Sequence, residues 1–163
     1  MEVQVTSQDT SFGNSGASTV TLKGAGSSYT NGFDTNMAGN SGSNSTLLIQ
    51  NGSTFTSRSV NVGLSGIGTV TIDGANSVLN GAILLGTNSD DQGTATIQNG
   101  GSIATGGNIA YIGDLGTGNM TIDGIESSLT AAFQLSVGHG AGSNGTFTIQ
   151  NGGMASSYRC LCR

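Results

Sequence analysis

A short string recurs along this chain at a fixed interval, and that recurrence limits what it can fold into more than any other feature. Thr19-Val-Thr-Leu-Lys-Gly24, Thr69-Val-Thr-Ile-Asp-Gly74 and Asn119-Met-Thr-Ile-Asp-Gly124 begin 50 residues apart. Between them lie Thr46-Leu-Leu-Ile-Gln-Asn-Gly52, Thr94-Ala-Thr-Ile-Gln-Asn-Gly100 and Thr146-Phe-Thr-Ile-Gln-Asn-Gly152. Six starts, 23 to 27 residues apart, define a unit of about 25 residues, and two alternating unit types build the 50-residue super-repeat. A period of this length marks solenoids, propellers and related arrays.

Inside each unit apolar and polar residues alternate, which places successive side chains on opposite faces of a strand. The inward pairs are Val20/Leu22, Leu47/Ile49, Val70/Ile72, Ala95/Ile97, Met120/Ile122 and Phe147/Ile149. A second cluster ends in glycine at Gly63, Gly86, Gly113 and Gly138, and in the first unit at Asn36-Met-Ala-Gly39; the sixth unit stops before reaching it. A third apolar position follows the first turn at Tyr29, Phe55, Leu79, Ile103, Leu129 and Met154. A unit of this size cannot bury its apolar face alone, but stacked units bury it against one another. The expected fold is therefore all-β: a right-handed, single-stranded parallel β-helix, or β-solenoid, of about six rungs with ~25 residues per rung. Residues 1–17 are expected to form an N-terminal cap or partial rung, 18–153 the repeats, and 154–163 an irregular C-terminal tail. Helical solenoids are excluded, because no window carries a 3.6-residue stripe and Gly is 29 of 163 residues. A propeller is the structural rival, but the two halves of the super-repeat resemble each other too closely for four distinct blade strands.

Just before the first turn the stacked residues would read Lys23, Gln50, Asp73, Gln98, Asp123 and Gln150. Glutamine between aspartates separates like charges by about 9.6 Å, near the physiological screening length, and amides can bond between rungs. The formal charge is −5, and two of the four bases, Arg159 and Arg163, fall at the C-terminus. No basic footprint for a phosphate backbone is left, which excludes nucleic acid as a partner. No apolar run approaches the ~18 residues that would span a bilayer. The start Met1-Glu2-Val3-Gln4 lacks the regions of a secretory signal, so export of this segment would depend on a signal upstream. Cysteine is confined to Cys160 and Cys162, so no disulfide framework supports the body of the fold.

Thr-Val-Thr-Ile-Asp-Gly-Ala-Asn-Ser at 69–77 and Gly-Thr-Phe-Thr-Ile-Gln-Asn-Gly-Gly at 145–153 resemble the passenger-associated repeats of bacterial autotransporters. The resemblance spans residues 18–153 and rests on repetition. It implies a non-enzymatic structural or adhesive passenger segment of a type V secreted protein. Such a segment stands at the cell surface, attached to a parent with an outer-membrane barrel, and contacts host-surface glycans or matrix proteins. Edge-to-edge self-association is a further expectation for an uncovered last rung. This sequence departs from the family pattern in showing neither a signal nor a barrel.

No catalytic, cofactor-binding or metal-binding residue is expected, and no cofactor. The enzymatic alternative is a β-helical polysaccharide lyase or hydrolase. Asp73 and Asp123 could serve as an acid/base pair, although both are copies of one repeat position. A lyase would need a basic residue beside bound metal, and the repeats offer Lys23 and Arg58. Asp90-Asp91 reads as a solvated loop rather than a calcium site, because the nonapeptide calcium repeat is absent. Gly113-Asp-Leu-Gly-Thr-Gly118 reads as a turn, and His139 has no Ser or Cys partner at recognisable spacing. Cys160 and Cys162 would point the same way on a strand but form an incomplete zinc set. The remaining alternative is a truncated remnant with no independent function.

Overall fold

Where threonine alternates with Val, Leu or Ile the chain is extended. A computed structural model describes residues 3–162 and places sixteen strands there, with no helix among the described residues. They run β1 (Gln4–Ser7), β2 (Thr10–Phe12), β3 (Ala17–Lys23), β4 (Ser28–Asn31), β5 (Asp34–Met37), β6 (Asn44–Gln50), β7 (Thr54–Val62) and β8 (Ile67–Asp73). The second half holds β9 (Val78–Leu85), β10 (Gln92–Gln98), β11 (Ser102–Ala104), β12 (Ile109–Ile112), β13 (Thr117–Asp123), β14 (Ser128–Val137), β15 (Asn144–Gln150) and β16 (Met154–Cys162).

The opening strands of the six units, β3, β6, β8, β10, β13 and β15, stack in sequence order as one parallel sheet. The other ten form a second parallel sheet, in which a rung is either one long strand, as in β7, or two short ones, as in β4 and β5. The chain passes from one sheet to the other and back in about 25 residues: Ile97 pairs with Ile72 below and Ile122 above. The result is a β-solenoid of about six turns.

Each inward position becomes a continuous column. Leu22, Ile49, Ile72, Ile97, Ile122 and Ile149 form one, and Val20, Leu47, Val70, Ala95, Met120 and Phe147 its neighbour. The second sheet answers with Tyr29, Phe55, Leu79, Ile103, Leu129 and Ala155. A further column there holds Met37, Val62, Leu85, Ile112, Val137 and Cys162. The middle of this core is dry, with Ile49, Ile72, Ile97 and Ile122 all at 0% exposure. Near the N-terminal end the core is aromatic: the Tyr29 and Phe55 rings stack at 5.2 Å and Phe12 meets both edge-on.

The structure corrects three expectations. The tail is not irregular: β16 pairs in parallel with β14 from Met154 opposite Ser128 to Cys162 opposite Val137. The composition changes there and the inward parity shifts once, at a bulge where Ser157 faces Ala131 and Arg159 faces Gln134, and thiols substitute for aliphatic groups because cysteine behaves as a small hydrophobe. Residues 159–162 thus supply the second cluster that the sixth unit was expected to lack. Ala155, not Met154, fills the third apolar column, and Met154 is 61% exposed. In the first full rung Ala38 takes the place of the corner glycine, with φ 57 against 75 at Gly63, while Met37 supplies the buried aliphatic group over Val62. At the N-terminus, β1 and β2 pair with β4 and β5 and so make the second-sheet half of a rung. Met1, Glu2 and Arg163, the outermost residues of the expected cap and tail, lie outside the described residues.

Candidate functional site

The turn column contains the repeated aspartates, and its geometry is structural. Asp73 Oδ1 accepts from Asn99 Nδ2 at 2.7 Å and Gln98 Nε2 at 3.3 Å. One super-repeat later, Asp123 Oδ1 accepts from Asn151 Nδ2 at 2.7 Å and Oδ2 from Gln150 Nε2 at 3.0 Å. Bonds from Asn151 and then Gln150 hold the Asp123 carboxyl below its ordinary range. Each aspartate is thus an acceptor clamped by the two amides of the next rung. The pair stands two rungs apart, about 9.6 Å along the stack, with Gln98 between them.

The other expected candidates separate in the same way. Asp90 is exposed, but Asp91 is 5% exposed, its Oδ2 accepting the Asn88 amide at 3.0 Å; it closes its own loop and is not a solvated acid. Gly113-Asp-Leu-Gly-Thr-Gly118 is a corner, as its glycines predict. A Cβ on Gly113 would sit 2.5 Å from the Asn144 carbonyl oxygen, and its φ is +75. Lys23 is exposed at the head of the turn column. Cys160 and Cys162 are exposed free thiols. Among the described residues no cluster of three or more His, Cys, Asp or Glu exists.

Two groups on the outward side of the second sheet depart from the repeat. At one end, Arg58 reaches back one rung and grips Asp34 with two bonds, Nε to Oδ1 at 2.9 Å and Nη2 to Oδ2 at 2.7 Å. Ser59 donates to the same Oδ1 at 2.7 Å, and the guanidinium lies 5.8 Å from the centroid of the half-exposed Phe33 ring. Arg58 beside it holds the Asp34 carboxyl below its ordinary range. Next along the rung Asn61 Nδ2 donates to Asn36 Oδ1 at 2.8 Å. Asp34, Arg58, Ser59 and Asn61 border a shallow open groove of about 460 Å³ that also reaches Leu84 and Asn108.

Further along the same column, Asn36, Asn61, Leu84, Tyr111, Ser136 and Leu161 stand one above another. Tyr111 carries the second group. Its ring stacks on His139 at 3.9 Å with the planes 21° apart, and His139 Nδ1 is 2.8 Å from Asp114 Oδ1. Burial, with help from the Asp114 charge, pushes the Tyr111 hydroxyl above its usual range. His139 therefore has partners after all, an acid and a phenol, but no nucleophile. The second pair follows from the repeat, since Asp114 and His139 are 25 residues apart and residues one period apart stack; the first does not, because the register places Ser59 over Asp34 and Arg58 reaches it from the neighbouring position.

Comparison with protein-family models, with curated proteins and with solved structures returns no significant match.

Proposed function

We propose that this chain is a rigid display segment: a structural or adhesive shaft of the autotransporter-passenger type, carried at a cell surface, that contacts its partner through the outward face of the second sheet. The observation that carries this reading is that aromatic and polar side chains that break the repeat gather in two places on that face. Phe33, Arg58, Asn36 and Asn61 stand at one end, and Tyr111, His139 and the 49%-exposed Phe133 at the other. Flat aromatic faces beside side-chain amides suit sugar rings and extended polypeptide, and two spaced patches on a stiff scaffold gain from simultaneous engagement. The repeated carboxylates support the same reading from the other side, since both oxygens of Asp123 and Oδ1 of Asp73 accept from Asn and Gln of the next rung.

The test is binding of the purified chain to glycan and matrix-protein arrays, with Arg58→Ala and Tyr111→Ala alongside and Thr71→Ala on the threonine face as control. Binding reduced by the first two and unchanged by the third is expected. Signal equal to that of a scrambled-sequence control removes the adhesive reading. Cleavage of acidic or neutral polysaccharide, lost in Asp73→Asn or Asp91→Asn, would replace it with a lyase or hydrolase.

A further inference from the structure

The pairing of β16 with β14 gives the two cysteines a defined place. Cys160 stands over Leu135 and Cys162 over Val137, so both side chains continue inward-facing columns in the last described rung. Residues i and i+2 of a strand share a face, with side-chain origins about 6.8 Å apart. Here the side chains turn toward each other until the two Sγ atoms are 3.3 Å apart. Both thiols are exposed, and the floor beneath them is apolar, with Leu135 buried and Val137 half-buried.

We propose that Cys160 and Cys162 form a dithiolate site for Cu(I), a soft monovalent cation that is satisfied by two sulfur ligands. The ligand count decides among metals. A closed zinc site takes four protein ligands, and no third His, Cys, Asp or Glu joins the pair among the described residues. Calcium and magnesium take oxygen, which this site does not offer. Thiolates select Cu(I), and rotation about the two χ1 angles spans any separation from the present contact up to the strand spacing. Uptake balances as one Cu(I) and two thiols giving a bis-thiolate complex of charge −1 and two released protons. Copper uptake therefore strengthens as pH rises.

The experiment uses the whole chain under anaerobic conditions with a phosphine reductant and Cu(I) buffered by a coloured chelator. One Cu(I) per chain is expected, with alkylation of both cysteines by iodoacetamide slowed at least about tenfold. Cys160→Ser and Cys162→Ser should each abolish stoichiometric uptake, and His139→Ala should leave it intact. Uptake undiminished in either serine variant, or unprotected thiols in the copper-loaded wild type, would overturn the proposal, and the second readout needs no variant to fold. One copper per two chains, with a doubled mass in sedimentation, would also overturn it by assigning the site to a junction between copies. Equal protection by Zn2+ would overturn the two-coordinate assignment.

Discussion

Replacing Ile97 by alanine measures how far the solenoid depends on its stacked columns. Ile97 is at 0% exposure, with Ile72 and Ile122 directly above and below it. Losing three carbons removes about 2.4 kcal/mol of transfer free energy at ~0.8 kcal/mol per methylene. The unfilled space adds ~24 cal/mol per Å3, which brings the total toward about 4 kcal/mol. The same change at Ile149 removes a side chain already 46% exposed at the open end, so about 1 kcal/mol is expected there. Urea unfolding followed by far-ultraviolet circular dichroism gives both values. Combining Ile97→Ala with Ile72→Ala should depart from additivity, because the two sites share a cavity, whereas Ile49→Ala with Ile122→Ala, three rungs or about 14 Å apart, should add to within ~0.5 kcal/mol. Equal losses at Ile97 and Ile149, or additivity in the adjacent pair matching that of the separated pair, would refute stacking as the source of stability.

Acid unfolding should depend on the turn clamps. The Asp123 carboxyl titrates lower in the folded chain than in the unfolded one, so its contribution is present above the ordinary carboxylate range of ~4 and lost as pH falls through the folded value. Asp123→Asn should therefore flatten the fall in melting temperature between about pH 5 and 2. Glu126 has φ 67 at a turn position held elsewhere by Gly26 and Asn76. Glu126→Gly should raise stability by about 1 kcal/mol, and Gly113→Ala should lower it by about 2–4 kcal/mol, both read by denaturant melts. Deleting residues 92–116 brings Asp73 against Asp123, so that variant should gain stability as pH is lowered from 7 to 4. Deleting 67–116 brings Gln50 against Asp123 and should not, as melting curves at the two pH values will show.

The period and the alternation were enough to read the inward columns, because both are properties of residue order alone. The sequence column Lys23, Gln50, Asp73, Gln98, Asp123, Gln150 is the observed one. What charge separation alone did not show is that Asn99 and Asn151 join the clamp, since their side chains reach from the corner rather than from the strand. The first rung misled because Ala38 occupies a left-handed corner usually given to glycine, so the neighbouring Gly39 looked like the end of the cluster. In the last rung both the composition and the inward parity change, at a bulge that residue order alone does not mark, and Cys160 and Cys162 take the inward positions over Leu135 and Val137. The Arg58 and His139 pairs escaped notice for a different reason. Side chains that break a repeat give no signal in a search for what recurs.

That last point bears on where recognition resides. In the first sheet strand alternation is unbroken, so once the inward columns align the outward columns must align as well. The threonines over one sheet, Thr46, Thr69 and Thr94 among them, follow from the register that stacks Leu47, Val70 and Ala95. A regular polar surface is therefore a by-product of the core, and its regularity gives no reason to assign it a partner. The clamps extend the logic to length. Each aspartate takes its donors from the following rung, so the fold grows without conflict in steps of two rungs, and added pairs lengthen the shaft while leaving its face unchanged. If the chain binds a partner as proposed, selectivity would come from positions that the register does not dictate. On this chain those are Phe33, Asp34 and Arg58 at one end of the outward face and Tyr111, Asp114 and His139 at the other, each held by a contact made across neighbouring rungs or beside one.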